Sequence, residues 1–297
     1  MTLAAHLLFW YRLHGRILPW RGTQNAYRIL VSEIMLQQTQ VSRGILFYEK
    51  WLKEFPDWDS LARATNADVI RAWAGLGYNR RALMLRDVAR EVMRTGEPKS
   101  EADWRRLKGI GPYTAAALAA FALHERVLPI DTNIRRVLNR ALLGIPFPDP
   151  EKDEQLKILA ERFLPKKGNY FDIPQALFDL ATAICTKTPD CSSCPLRNEC
   201  CASEQFLQKK IQAPKQMIKK AAEKIHPGKK YPDRIYRGRI LKTVREEQII
   251  PVDKLGKKID PSFKKTDIPW LKSMVSRLIR DGFLEENKGK LRLSQTD

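Results

Sequence analysis

From Leu3 to about Leu207 the apolar residues recur three and four positions apart, and no alternating stretch of useful strand length interrupts them. The runs Ile29 to Met35, Leu61 to Trp73, Leu83 to Val92 and Ile134 to Leu143 each read as helix, and the breaks between such runs carry Gly or Pro. That pattern restricts the first two thirds of the chain to an all-α domain of eight or more short helices. With 297 residues, 43% of them apolar, there is material for real cores and for two domains of ordinary size. The longest strongly apolar run, Ala115 to Leu123, is about half of the roughly 18 residues that a membrane span needs, and Met1 to Tyr11 has neither a basic lead nor a small-residue cleavage site. A cytoplasmic protein with no membrane partner is expected.

Charge narrows the partner. Lys and Arg number 53 against 34 Asp and Glu, a formal net charge of +19, which favours a polyanion. Residues 208–231 are Lys-rich, poor in large apolar groups and broken by Pro214, Pro227 and Gly228, so they read as a basic, partly helical linker able to lie along phosphate. Beyond it, residues 232–297 form a separate unit: helical spacing over Ile235 to Arg245, a second helix over Pro269 to Asp281, then Gly282-Phe283-Leu284 leading into Leu291-Arg292-Leu293 across a Lys288-Gly289-Lys290 turn. Two helices and a hairpin suggest a small winged-helix-like α+β module. From Ala202 to Asp297 there are 24 basic and 12 acidic residues, an imbalance that favours nucleic acid over a solvated appendage.

All five cysteines fall between Cys185 and Cys201, whereas a disulfide scaffold would spread them along the chain. Four of them, Cys185-x5-Cys191-x2-Cys194-x5-Cys200, have the spacing of a four-cysteine metal site, either an iron-sulfur cluster or zinc, and Cys201 is a spare thiol that could replace Cys200.

Upstream, Leu107-Lys108-Gly109-Ile110-Gly111-Pro112-Tyr113 places two glycines one residue apart ahead of an Ala-rich helix. Such a hairpin turns tightly and offers backbone N–H groups and a helix N-terminus to an anion, although it could equally be an ordinary connection. Twenty residues later Asp131 stands immediately before a helix carrying Arg135, Arg136 and Arg140, where a lone Asp is usually a cap. Together the hairpin and this Asp match the helix-hairpin-helix, Gly-Pro-Asp pattern of base-excision DNA glycosylases. The segment HLLFWYRLHGRILPWR from His6 to Arg21, then VSEIMLQQTQV from Val31 to Val41 and Gly75-Leu76-Gly77-Tyr78, extends the likeness: over about residues 1–205 the chain resembles adenine DNA glycosylases of the MutY type in the endonuclease III superfamily.

The resemblance implies a mainly α helix-hairpin-helix glycosylase fold of two helical subdomains over residues 1–207, with a cluster loop at 185–201. It implies a monofunctional enzyme of base excision repair that hydrolyses the N-glycosidic bond of adenine mispaired with guanine or 8-oxoguanine. Cleaving that bond needs a proton on the leaving base and a negative charge beside a sugar that becomes cationic. Glu33, in an otherwise apolar helix, would be the acid, its pKa raised by burial. Asp131, with Asn133 beside it, would stabilise the cation. Tyr113 stands where the endonuclease III branch has a Schiff-base lysine, and a phenol forms no imine, so strand cleavage is not expected. Lys108 precedes the hairpin and is a poor substitute.

Because the target bond is inaccessible within the duplex, the base must be read outside the stack. By resemblance Arg16, Trp20, Arg21 and Gln175 line an adenine pocket, Gln38 and Tyr78 wedge into the stack and face the opposite base, and Gly109 and Gly111 hold the DNA backbone. The four cysteines would bind a [4Fe-4S] cluster, with zinc as the alternative. The expected partner is double-stranded DNA containing a mispair, met by a monomer in the nucleoid.

Some positions depart from the family pattern. Thr132 replaces the usual glycine after the catalytic Asp, Asn79 replaces a second tyrosine after Tyr78, and the Cys185 to Cys191 gap is one residue short. A C-terminal Nudix-like β domain that recognises 8-oxoguanine is usual in the family, and residues 232–297 do not read as one. Excision of thymine from G·T mispairs, a bifunctional lyase and a non-catalytic DNA-binding module therefore stand as alternatives.

Overall fold

The computed structural model describes residues 2–148, 153–168, 170–211, 223 and 225–295. Helices occur in the order α1 (Leu3–His14), α2 (Ala26–Leu36), α3 (Val41–Glu54), α4 (Trp58–Arg63), α5 (Asn66–Ala72), α6 (Arg80–Thr95), α7 (Glu101–Arg106), α8 (Pro112–Phe121), α9 (Thr132–Leu138), α10 (Asp153–Phe163), α11 (Ile173–Ala183) and α12 (Ser203–Leu207). After them come α13 (Asp233–Glu247), β1 (Ile250–Pro251), α14 (Val252–Ile259), α15 (Ile268–Arg280), β2 (Leu284–Asn287) and β3 (Lys290–Leu293). Among the described residues no helix is long and apolar enough to cross a membrane.

Two boundaries differ from those the apolar spacing predicts. The run Leu61 to Trp73 is two helices, because Thr65 and Asp68 form a capping box that starts α5 afresh after Ala64 leaves the helical region. The run Ile134 to Leu143 begins as α9 and ends in a π-helical turn over Asn139–Leu143. Widening the helix there leaves the Arg140 and Ala141 carbonyls free to accept the backbone N–H groups of Ala202 and Cys201, both at 3.1 Å. The π turn thus docks the end of the cysteine loop.

Packing gathers the chain into two compact units that do not follow sequence order: Met1–Glu33 with Pro98–Lys219, and Ile34–Glu97 with Lys220–Asp297. In the first, Leu7 of α1, Ile134 and Leu138 of α9, Leu156 of α10 and Ile173, Leu177 and Leu180 of α11 share one buried cluster that reaches Cys185 and Leu196 of the cysteine loop. Burial of that many large side chains, each contributing about 1.5 to 3 kcal/mol, fixes α9 and α11 as a platform.

In the second unit the C-terminal residues pack with α5 and α6. The Asn66 side chain donates to the Gly282 carbonyl at 2.8 Å and accepts from Arg86, so a buried amide ties α5 to the turn after α15. The module itself has three helices where the periodicity predicts two. The eight-residue α14 was hidden by its lysines and by Gly256, where a Cβ would meet the Phe263 ring at 2.4 Å. Its three antiparallel strands run in the order β1-β3-β2, with Ile250 opposite Leu291 and Leu284 opposite Leu293. Helix, strand, two helices and a two-stranded wing is a winged-helix topology. The expected helical character of the linker falls mostly on residues 212–222, outside the described residues.

Candidate active site

Three segments of the first unit bring the candidate catalytic groups together. Glu33 lies in the last turns of α2, Tyr113 in the first turn of α8 and Asp131 at the N-cap of α9. Pro112 starts α8 at a position where its missing N–H costs nothing, and the preceding hairpin turns through Gly109 at φ 94°, a left-handed conformation that favours glycine. Tyr113 Oη donates to Glu33 Oε2 at 2.7 Å, so the phenol at the expected lysine position is a partner of the acid, while Lys108 is exposed. Burial pushes the Glu33 pKa from 4.5 up to about 7, opposed by the Tyr113 hydrogen bond and assisted by the negative charge of Asp131. The same surroundings raise Tyr113 well above its ordinary value, first by burial and then through Glu33.

Asp131 is both cap and charge. Its Oδ1 accepts the N–H groups of Asn133 at 2.8 Å and Ile134 at 2.7 Å, and its Oδ2 accepts Asn133 Nδ2 at 2.8 Å. Burial raises its pKa, and these hydrogen bonds and Arg136 work against that rise. Asn133 is therefore an orienting residue. Arg136 donates to Asn133 Oδ1 at 3.2 Å, to the Ala181 carbonyl at 3.0 Å and to the Cys185 carbonyl at 2.8 Å, which joins the cap to α11 and the cysteine loop.

The expected base pocket is organised by a residue that the sequence reading missed. Asp179, in α11 and only 2% exposed, accepts from Arg16 N at 2.8 Å, Arg16 Nε at 2.7 Å and both terminal nitrogens of Arg21 at 2.8 Å. Burial opposes its ionisation, yet these guanidiniums outweigh the penalty and lower its pKa. Arg16 and Arg21 are thus clamped and present a fixed wall. Trp20, between them in sequence, is buried, and Gln175 is half-buried one helical turn before Asp179, on the same side of α11. The available signal was a lone Asp in the apolar run Ile173 to Ala183, since a buried charge requires a partner.

Gln38 and Tyr78 belong to the second unit, where both are exposed and both have positive φ, 60° and 47°, in the left-handed region costly for a side chain. Arg81 holds their loops by donating to the carbonyls of Ile34 at 2.8 Å, Gln37 at 2.6 Å and Gly77 at 3.1 Å, with its guanidinium over the Trp73 and Tyr78 rings. Asn79, at the usual second tyrosine, precedes α6.

Cys185, Cys191, Cys194 and Cys200 line one small cavity with buried Arg140, while Cys201 is exposed and its thiol faces the Leu142 carbonyl. Burial and the neighbouring thiols push Cys191 up to about 11 and Cys194 up to about 12. Arg140 donates to the Cys185 sulfur at 3.4 Å and to the carbonyls of Pro146, Thr186 and Lys187, and its guanidinium lies 4.7 Å from the Phe206 ring centre. Four thiols lining one cavity beside a buried cation suit an anionic group built on thiolates. Among the described residues no three His, Cys, Asp or Glu side chains converge on a point that would hold a single metal ion.

Residues 31–163, which contain Glu33, the hairpin and Asp131, match the HhH-GPD superfamily of base excision DNA repair proteins. Its fold agrees: an endonuclease III–DNA complex aligns with a TM-score of 0.59 and 15% identity, over 70% of this chain and 99% of that one. The sequence is similar to adenine DNA glycosylases, 39% identical over 199 residues to that of Mycobacterium tuberculosis (64% of each chain) and 35% identical over 226 residues to the human one (70% of this chain, 40% of that one). The chain thus spans less than two thirds of the length of these relatives. The structure of a thermostable thymine-DNA glycosylase aligns with a TM-score of 0.63 and 26% identity, covering 68% of this chain and 95% of that one.

Replacement of Tyr113 by Phe is expected to move the alkaline limb of a pH–rate profile to higher pH, because the lost hydrogen bond lowers the Glu33 pKa. A limb that stays in place or moves down would show that Glu33 is not the group titrating.

Proposed function

We propose that this chain is a monofunctional adenine DNA glycosylase that acts on adenine paired with guanine or 8-oxoguanine. The observation that carries the reading is the part-buried Glu33–Tyr113 pair beside Asp131. With a pKa of about 7, Glu33 retains its proton near neutrality and gives it to a ring nitrogen of the flipped adenine. As the glycosidic bond lengthens, the capped carboxylate of Asp131 faces the positive charge on the sugar and assists water or a covalent sugar intermediate. Asn133 keeps that carboxylate in place. Trp20 and Gln175 bound the base, stiffened by the Asp179 clamp on Arg16 and Arg21, and the Gly109–Gly111 hairpin meets the backbone of the DNA. No lysine amine takes part, so the product is an intact strand with an abasic site. Thymine excision from G·T mispairs is the second reading, favoured by the likeness to the thymine-DNA glycosylase.

Cys185, Cys191, Cys194 and Cys200 would hold a [4Fe-4S] cluster, whose net negative charge Arg140 would balance. Such a cluster supplies structural closure of the loop, and the glycosidic chemistry needs no electron. The winged-helix module adds lysine-rich surface, Lys254, Lys257, Lys264, Lys265 and Lys272 bordering one groove, suited to flanking phosphates.

The reading is tested by single-turnover reactions on duplexes with A opposite 8-oxoguanine, A opposite G, T opposite G and A opposite T, each analysed with and without alkali. Release from the A mispairs alone, with breaks only after alkali, is expected. Release of T would transfer the protein to the thymine reading, alkali-independent breaks would overturn the role given to Tyr113, and tight binding with every base retained would leave a binding module.

A further inference from the structure

The lysine-bordered groove of the winged-helix module has a floor that contact with phosphates does not use. At about 2160 Å³ and open to solvent, it exceeds the roughly 300 to 1,000 Å³ of small-molecule pockets and suits a length of polymer. Lys254 and Lys257 come from α14, Lys264 and Lys265 from the segment that follows it and Lys272 from α15, and all five are exposed. Lys258, the α14 lysine that is paired with Glu247, lies outside the lining.

The floor is apolar. Val252, Phe263, Ile268, Leu271 and Val275 line it. Leu271 and Val275 are almost wholly buried and form its base, whereas Ile268, the first residue of α15, is 41% exposed at a helix start where a polar residue would serve as well. Phe263 lies against α14 at Gly256, where a Cβ would collide with its ring, so that glycine gives the ring its seat. On the wing side stand two exposed carboxylates, Asp253 and Glu286, and the Val252 N–H donates to the Gly289 carbonyl at 3.1 Å, which brings the start of α14 against the wing turn.

A row of phosphates would find no donor on that floor and would meet repulsion at the two carboxylates. The rim alone suits it. A chain that carries apolar side chains on one face and carboxylates on the other fits both parts, because burying its apolar face covers Ile268 and Phe263 while its charges reach the lysines. Five cations against two anions fix the sign of the ligand.

We propose that this groove docks an acidic amphipathic segment of another protein, its apolar side chains on the floor and its carboxylates at the lysine rim. The proposal goes beyond the excision reading and does not depend on it.

The test measures binding of the full chain to a fluorescent synthetic peptide of about 16 residues, with leucines three and four apart and glutamates between them, and to the same peptide with serine in place of every leucine. Wild type is expected to bind the leucine peptide about tenfold or more tightly than the serine one, and to lose affinity as salt screens the rim. Ile268→Ser, at the protein surface and checked by thermal unfolding, should weaken the leucine peptide about tenfold and leave affinity for a matched DNA duplex unchanged. Lys265→Glu combined with Lys272→Glu should weaken it further. Equal affinity of wild type for the two peptides, no binding of either, or a leucine peptide indifferent to Ile268→Ser overturns the proposal. Loss of duplex affinity in Ile268→Ser with peptide affinity intact overturns it too, and gives the groove to nucleic acid. Adenine release from a mispair is measured in parallel, and its failure in wild type counts against the excision reading alone.

Discussion

Glu33→Gln is expected to cut single-turnover adenine release by about 10²- to 10⁴-fold, the usual worth of a positioned general acid, while mispair binding stays within a few-fold of wild type. Glutamine has the shape of the protonated acid and can still accept from Tyr113, so the substitution removes a proton donor and little else. A second consequence separates this from simple damage. The folded pKa of about 7 lies above the ordinary 4.5, so between those values the folded protein keeps a proton that the unfolded chain has released. Stability therefore falls as pH rises through that window, and the cost is complete above pH 7, at most about 3.4 kcal/mol at 1.36 kcal/mol per unit. The variant should melt several degrees higher than wild type at pH 8 and at the same temperature near pH 4. Unchanged turnover removes Glu33 from the mechanism, and a melting difference independent of pH removes the buried proton.

Much of this architecture was legible because its signals are local. Apolar spacing located α2 and α6, the Gly-x-Gly-Pro segment located the start of α8, and the Asp before Thr132 located the start of α9. The split between α4 and α5 was legible too, through Thr65 and Asp68, but a continuous apolar pattern outweighed a two-residue cap. What could not be read is contact between distant segments. Nothing near Arg16 or Arg21 indicates that both are spent on Asp179, which lies 163 and 158 positions away. Likewise the buried tie between Asn66 and Gly282 spans 216 positions, so the sequence boundary at 207 gave no sign that the C-terminal module shares a compact unit with residues 34–97. The Glu33–Tyr113 pair spans 80 positions and was approachable only because a family resemblance placed both residues in one site.

Asp131→Asn is expected to slow base release by about 10² to 10³-fold, the loss seen when a group aimed at developing charge is removed, with almost no change in stability. The two effects separate because Asp131 has two functions that depend on different properties of its side chain. As the N-cap of α9 it needs only an oxygen to accept the N–H groups of Asn133 and Ile134, and asparagine caps a helix about as well as aspartate. As the counter-charge to a cationic sugar it needs a full negative charge, and an amide has none. Asp131→Ala should add the capping loss, about 1 kcal/mol, to the same kinetic defect. Asn133→Ala, which leaves the charge but removes the Nδ2 hydrogen bond and the link to Arg136, should fall between wild type and Asp131→Asn in rate. If Asp131→Asn turns over at the wild-type rate, the residue is a cap alone, and the positive charge at the sugar must be met elsewhere.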